Sequence, residues 1–382
     1  MQSLQKRTWA EVSLANIAHN YNAIRERLPE GCRFLAVVKT NAYGHGAKRV
    51  AELCENLGAD YLAATGIDDA VQMRSWGIKA PILIFGYTQP EYIDVLIRKR
   101  ITQTVDCLET AREYSSIASK MGHKLRVHLK VDTGMGRLGF ICHGDRDCRQ
   151  EILETLNMPG LDIEGIFTHL AVSDEQDDDY TKMQLDAFNA LVKNLEEESG
   201  FRFKIKHCAN SGAVINYRQT ASLDMVRPGL MLYGLYPGRC KGDIELRPAM
   251  ELKTRVACVK ELSPGDCVSY GCTFVADKKA KTAVLPIGYG DGLHRALSGK
   301  IDVLVNGKRA HQIGRICMDF CMIDVTDIPC SVGDVVTVFG RDGNEFIPVE
   351  ELAEKAGTIS YEITCALTER VPRVHIGSPD RV

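Results

Sequence analysis

No stretch of this chain approaches the roughly 18 apolar residues that a membrane span requires. Its opening, M-Q-S-L-Q-K-R-T-W-A-E-V, has no apolar run behind the basic pair, so neither an anchor nor a secretory leader is read there and a cytoplasmic protein is expected. An excess of one charge is lacking too: 47 Lys and Arg face 50 Asp and Glu, a formal −3. Without a basic field, nucleic acid and anionic membranes are poor partners, and a small molecule is the expected ligand. Fourteen cysteines are present, yet none stands in C-x-x-C spacing. The closest pairs, Cys317 with Cys321 and Cys267 with Cys272, lack the spacing of zinc or dithiol sites, so no metal site is expected. Cys54, Cys208 and Cys258, set among apolar neighbours, read as small core residues in a reducing compartment.

What is there is ample core material. The 382 residues are 45% hydrophobic and 25% charged, which argues against disorder and for a large core or two. At about 150 residues per domain, a larger α/β unit with a smaller companion is the simplest partition. Apolar runs at 34–39, 61–64, 82–85, 102–105, 126–132, 163–169, 205–209 and 225–227 read as eight strands. Helical patterns lie at 47–56, 67–76, 90–98, 108–121, 147–156 and 180–198. Eight βα units in this length suggest a (β/α)8 barrel over residues 1–240, with active groups at the C-terminal strand ends.

Beyond about residue 240 the texture changes. Short runs at 255–259, 282–286, 302–305 and 335–339, punctuated by S-P-G-D, V-N-G-K, S-V-G-D and R-D-G-N, read as a mostly β domain over 241–382. The first ten or so residues are candidates to pair with it. Pro237, Gly238 and Gly242 mark a hinge. The acidic run 174–179 reads as a solvated loop leading into the sixth helix.

The strand exits carry Lys39, Asp132 with Arg137 beyond it, His169, Asn210 with Ser211, and Arg227 followed by Pro228 and Gly229. Lys39 closes F-L-A-V-V and enters T-N-A-Y-G-H-G, so a partly desolvated amine suited to imine formation emerges into a flexible loop. Barrels often hold phosphate in the loops after strands 7 and 8, where this chain has C-A-N-S-G-A and R-P-G-L-M-L-Y-G. An imine lysine on strand 1 and a phosphate cup opposite would hold pyridoxal phosphate at both ends.

The segments V-V-K-T-N-A-Y-G-H-G, L-K-V-D-T-G-M-G-R-L-G-F, F-T-H-L-A, A-N-S-G-A, V-R-P-G-L-M-L-Y-G, V-S-Y-G, G-R-I-C-M-D and I-S-Y-E, in order from Trp9 to Arg373, together resemble the bacterial alanine racemase family. The resemblance implies a pyridoxal 5'-phosphate enzyme of fold-type III, and a homodimer in which each active site is completed by the partner's β domain. It implies Lys39 and Tyr270 as the two catalytic bases. His169 would lie against Tyr270 in a chain continuing to Arg227, which faces the cofactor's pyridine nitrogen. Arg137 would contact cofactor and substrate carboxylate, with Lys130 carbamylated to orient it. Phosphate would be held by Tyr43, Ser211, Gly229, Leu230 and Tyr361, with Asn210 nearby. Met318 and Asp319 would come from the partner subunit to the substrate carboxylate. Phe320 and His311 depart from the Gln and Pro that members often carry.

The expected activity is therefore interconversion of L- and D-alanine by two bases, supplying D-alanine for peptidoglycan. A serine racemase of the vancomycin-resistance type is the alternative; those proteins typically carry a membrane domain and often Asn at the position of Tyr361. An amino-acid decarboxylase of the same architecture is a further rival. A lone barrel carrying the cofactor without catalysis would leave Tyr270 unexplained.

Overall fold

The computed structural model describes residues 7–175, 178–238 and 242–377. The expected boundary at 240/241 and the middle of the acidic run lie outside the described residues. The apolar runs of the first part form strands β1 (Arg33–Val37), β2 (Tyr61–Ala64), β3 (Ile82–Ile84), β4 (Ile101–Val105), β5 (Leu125–Asp132), β6 (Leu161–Phe167), β7 (Ile205–His207) and β8 (Met225–Val226). They are apolar nearly throughout because helices on the outside and side chains on the inside bury both faces. Their order is β8-β1-β2-β3-β4-β5-β6-β7, with every pairing parallel. Asp224 N donates to Lys206 O at 3.0 Å and Arg227 N to Ala209 O at 2.9 Å. These bonds draw β8 against β7 and nearly close the ring, giving the expected (β/α)8 barrel.

The intervening helices follow their 3.6-residue pattern. Ala47–Asn56, for example, buries Val50, Ala51, Leu53 and Cys54 against the strands. Several details differ from the sequence reading. Segment 90–98 begins as a tight turn, Pro90–Tyr92, before the helix Ile93–Arg98, because Pro90 sets a turn and supplies no N–H. The helix Leu14–Arg25 was not expected, although its buried Leu14, Ile17, Ala18, Tyr21 and Ile24 carry the helical period. Strands β1, β3, β6, β7 and β8 stop short of their expected ends, so Lys39, Phe85, His169, Ala209 and Arg227 lie beyond the strands rather than close them.

The chain divides into two compact units. One contains Asn16–Ala42 and Ala47–Arg247; the other gathers the strand Thr8–Ser13, the four residues Tyr43–Gly46 and the chain from Pro248. The second unit is mostly β. Its main sheet runs Cys258–Leu262, Ala280–Leu285, Cys321–Asp324, Lys308–Ile313, Asp302–Val305, Val335–Asp342, Met250–Arg255, Thr8–Ser13, Arg373–Ile376. Thr8–Ser13 is antiparallel to Met250–Arg255 and parallel to Arg373–Ile376. The run expected as one strand at 255–259 is divided between two, because the chain changes partners there. Val256 N donates to Asp334 O at 2.9 Å and Ala257 N to Val284 O at 2.8 Å, after which Cys258 pairs with Val284. Among the described residues no helix is long and apolar enough to cross a membrane.

Gly165 on β6 has no room for a side chain: a Cβ there would lie 2.7 Å from Ile205 O and 2.8 Å from His128 Cε1. Gly165→Ala should cost about 1–3 kcal/mol through overpacking, read as a lower denaturation midpoint with an unchanged m-value.

Candidate active site at the barrel mouth

Lys39 opens a turn of unusual backbone. Thr40, Asn41, Ala42 and Tyr43 have φ of 53°, 51°, 53° and 52°, four consecutive non-glycine residues in the left-handed region. Each such residue costs roughly 1–2 kcal/mol in isolation, so the packing of both ends must hold the turn. On the barrel side Ala42 N donates to Val38 O at 2.9 Å, and Asn41 Oδ1 accepts from Ala47 N at 2.8 Å. In the β unit, Gly44 O accepts from Arg373 Nε at 2.7 Å and His45 O meets His375 Nε2 at 2.9 Å. Gly44 is required by its neighbour, since a Cβ would lie 2.1 Å from Thr364 O. This clamp sets Tyr43 beside Tyr361, with ring centroids 5.8 Å apart.

Arg227, 4% exposed, is the centre of the barrel mouth. Its guanidinium donates to His207 Nδ1 at 3.0 Å, His169 Nδ1 at 3.2 Å, Thr168 O at 2.9 Å and Cys208 O at 3.0 Å. All four partners are neutral acceptors. Burial lowers the guanidinium pKa to about 10, which leaves it charged at neutral pH. Because guanidinium only donates, it fixes the tautomer of both imidazoles: each accepts at Nδ1 and carries its proton on Nε2. His207 Nε2 then donates to His128 Nδ1 at 2.9 Å. His128 Nε2 in turn lies 3.5 Å from Glu164 Oε2, which also accepts from Tyr61 OH at 2.6 Å. Burial opposes the Glu164 charge, but His128 and Tyr61 outweigh it and hold the carboxyl at about 2. The counter-charge of Arg227 thus stands at the far end of two imidazoles. Burial, followed by the neighbouring cations, holds both His169 and His207 well below the usual histidine pKa, so they are neutral in the physiological range.

The Phe167 ring organises the cations around it. It stacks on His207 at 4.7 Å between centroids, and the Lys130 ammonium and Arg227 guanidinium stand 5.6 and 5.4 Å from its centroid. Lys130 is 5% exposed and donates to Val131 O at 2.7 Å. Burial and then Arg227 depress its pKa to about 7, so a substantial fraction is free amine near neutrality. Asp132 Oδ1 accepts from Gly134 N and Gly136 N at 2.9 and 3.1 Å. Burial raises the Asp132 pKa, and these amides more than offset it, leaving the carboxyl below its usual range. The resulting turn carries Arg137 out of β5 as an exposed side chain.

At the neighbouring exits, Asn210 caps the helix Ser211–Asn216, its Oδ1 accepting from Ala213 N at 3.0 Å and from Ser173 Oγ at 2.7 Å. Ser211 Oγ accepts from Gly229 N at 3.0 Å and lies 3.5 Å from Met231 N, so a hydroxyl and loop amides converge beside Leu230. In the β unit, Ser269, Tyr270, Cys317, Met318, Asp319 and Phe320 line a surface depression of about 370 Å³. Tyr270 is 71% exposed. Asp319 is ion-paired with Arg370. Of the two departures, Phe320 lines this depression and His311 pairs across the strands with Asp302 at 2.8 Å.

A parallel barrel with an amine, two buried cations and a hydroxyl-amide pocket at its C-terminal end defines an enzyme acting on a small anionic ligand. Profiles for the N-terminal and C-terminal domains of alanine racemase match residues 12–237 and 249–375. An alanine racemase of Desulforamulus reducens is 46% identical over 97% of this chain and 99% of its own. The alanine racemase structure from Clostridium difficile 630 superposes with a TM-score of 0.91 at 39% identity, covering 98% of this chain and 97% of that one. The Bacillus anthracis alanine racemase with bound L-Ala-P gives 0.90 at 37%, covering 98% and 96%. The chain belongs to the alanine racemase family. Its reaction is the interconversion of L- and D-alanine, and its cofactor is pyridoxal 5'-phosphate. The barrel's donor set fits that group: buried cations with neutral partners are relieved by an anionic ligand, and the Ser211 locus supplies the donors a phosphate needs.

His207, His128 and Glu164 were absent from the sequence-derived site. A signal for His128 alone was legible: Arg126, His128, Lys130 and Asp132 alternate with apolar residues along β5, four polar groups on one face of the strand. His207→Leu should strip Arg227 of a buried acceptor and cost about 1–3 kcal/mol of stability, measured by urea denaturation.

Proposed function

We propose that racemisation runs on two bases from two copies of the chain, Lys39 of one and Tyr270 of the other. Removing the α-proton from one face and returning it from the other requires such a pair. Bound pyridoxal phosphate supplies the electron sink that makes the α-proton removable. Lys39 holds the cofactor through its amine and moves the proton on one face. Tyr270 moves it on the other, and the observation that supports this is its 71% exposure beside Met318, as befits a group reserved for a neighbouring subunit.

His169 accepts from Arg227 at Nδ1 and so offers Nε2–H to the Tyr270 oxygen across the subunits. Arg227 would face the pyridine nitrogen of the bound cofactor and, as a guanidinium that keeps its proton, would leave that nitrogen unprotonated. Ser211, Gly229, Leu230, Tyr43 and Tyr361 bind phosphate. Asn210 contributes through the cap that holds Ser211. Arg137, Met318 and Asp319 orient the substrate carboxylate. Lys130, as free amine, adds to carbon dioxide: an N–C bond forms, one proton leaves, and the carbamate anion orients Arg137. On this reading the protein is a cytoplasmic homodimer that supplies D-alanine for peptidoglycan.

Holoenzyme should be yellow, and borohydride should bleach it and attach the cofactor at Lys39. Tyr270→Phe should retain the colour while chiral analysis of L-alanine turnover shows a loss of about 10²-fold or more. Inactive Lys39→Ala and Tyr270→Phe chains, mixed and reassembled, should regain activity; heterodimers without it would rule out a composite site. ¹³C-bicarbonate should give a carbamate NMR signal that Lys130→Ala abolishes.

A further inference from the structure

The loop that carries Tyr270 also carries two thiols that meet. Cys267–Val268 pairs antiparallel with Phe274–Val275. Between them Ser269, Gly271 and Cys272 take φ of 69°, 75° and 48°, and this left-handed backbone folds the loop back on itself. The Cys272 and Cys267 sulfurs consequently lie 2.6 Å apart, and both residues are exposed. The sequence reading found no dithiol here because C-x-x-C spacing was missing; the turn supplies the proximity that spacing usually provides. Cys142 and Cys148 also share a hydrogen bond, but Cys148 is 2% exposed and shielded from reagents. Ser269 anchors the loop from the other side, donating to Arg315 O at 2.6 Å.

We infer that Cys267 and Cys272 are a dithiol modification site, which small disulfides of the oxidised-glutathione class close into an intramolecular disulfide that locks the Tyr270 loop. One thiolate attacks the small disulfide, forming a mixed disulfide and expelling one thiolate. The second cysteine sulfur then attacks the mixed disulfide at the protein sulfur and expels the other. Two protein thiols become one S–S bond, the small disulfide is reduced to two thiols, and these take the two protons. Closing the sulfurs to the bonded distance needs a movement of only about 0.5 Å. The ring so formed encloses Val268, Ser269, Tyr270 and Gly271, so the backbone that aims Tyr270 loses its freedom to adjust. The effect on turnover rests on the role proposed above for Tyr270; the chemistry of the site does not.

Holoenzyme treated with oxidised glutathione and mapped without reduction should yield a Cys267–Cys272 link, two hydrogens lighter than the dithiol. Racemisation should fall by about tenfold or more and return with dithiothreitol. Cys272→Ser should racemise normally before the oxidant and after it. If no such link forms while both thiols remain alkylatable, the site is overturned. If the link forms and turnover is unchanged, although Tyr270→Phe is inactive, the lock is overturned. An active Tyr270→Phe would instead remove the catalytic role of Tyr270, with the link still read by mass.

Discussion

The barrel mouth is governed by one unbalanced charge. Arg227 is buried among acceptors that carry none, and a guanidinium surrenders its proton too reluctantly to escape by deprotonation. Everything adjacent accommodates that fact. Two imidazoles are forced into one tautomer, and Phe167 presents its ring face to the cations. The desolvation cost of such a charge is large unless something anionic shares it, which makes the site a receptor for a charged ligand before any catalytic step is considered.

The same field makes Lys130 unusual. An amine beside Arg227 and out of water is a poor ammonium, so the position that looks like an ordinary strand lysine in sequence has a depressed pKa in the fold. His169 feels the same environment and responds in kind, held neutral by burial and the neighbouring cations. One local potential thus depresses two titratable neighbours together.

Much of the barrel was legible because buried parallel strands are written as short apolar runs, and β2 was read residue for residue. The exits Lys39, His169 and Arg227 were legible as polar residues at the ends of such runs. What sequence could not reveal were relations across strands. The chain Arg227–His207–His128–Glu164–Tyr61 draws on five segments, and nothing in one strand announces its partner in the next. Nor could composition foretell four left-handed residues after Lys39, since Thr, Asn, Ala and Tyr are there by tertiary constraint and not by preference. The closeness of the Cys267 and Cys272 sulfurs was not legible for a related reason: spacing along the chain does not give distance in space.

The strand Thr8–Ser13 lies between Met250–Arg255 and Arg373–Ile376, and this arrangement dictates a schedule during synthesis. Domains form as their segments leave the ribosome, and the barrel strands have all emerged once residue 226 is out. The early strand must meanwhile wait, its ladder groups satisfied by water, until residues made more than two hundred positions later arrive, and its second edge is covered only once Arg373–Ile376 has emerged. Until then the nascent chain carries an unpaired ribbon on which a nascent-chain chaperone has reason to act.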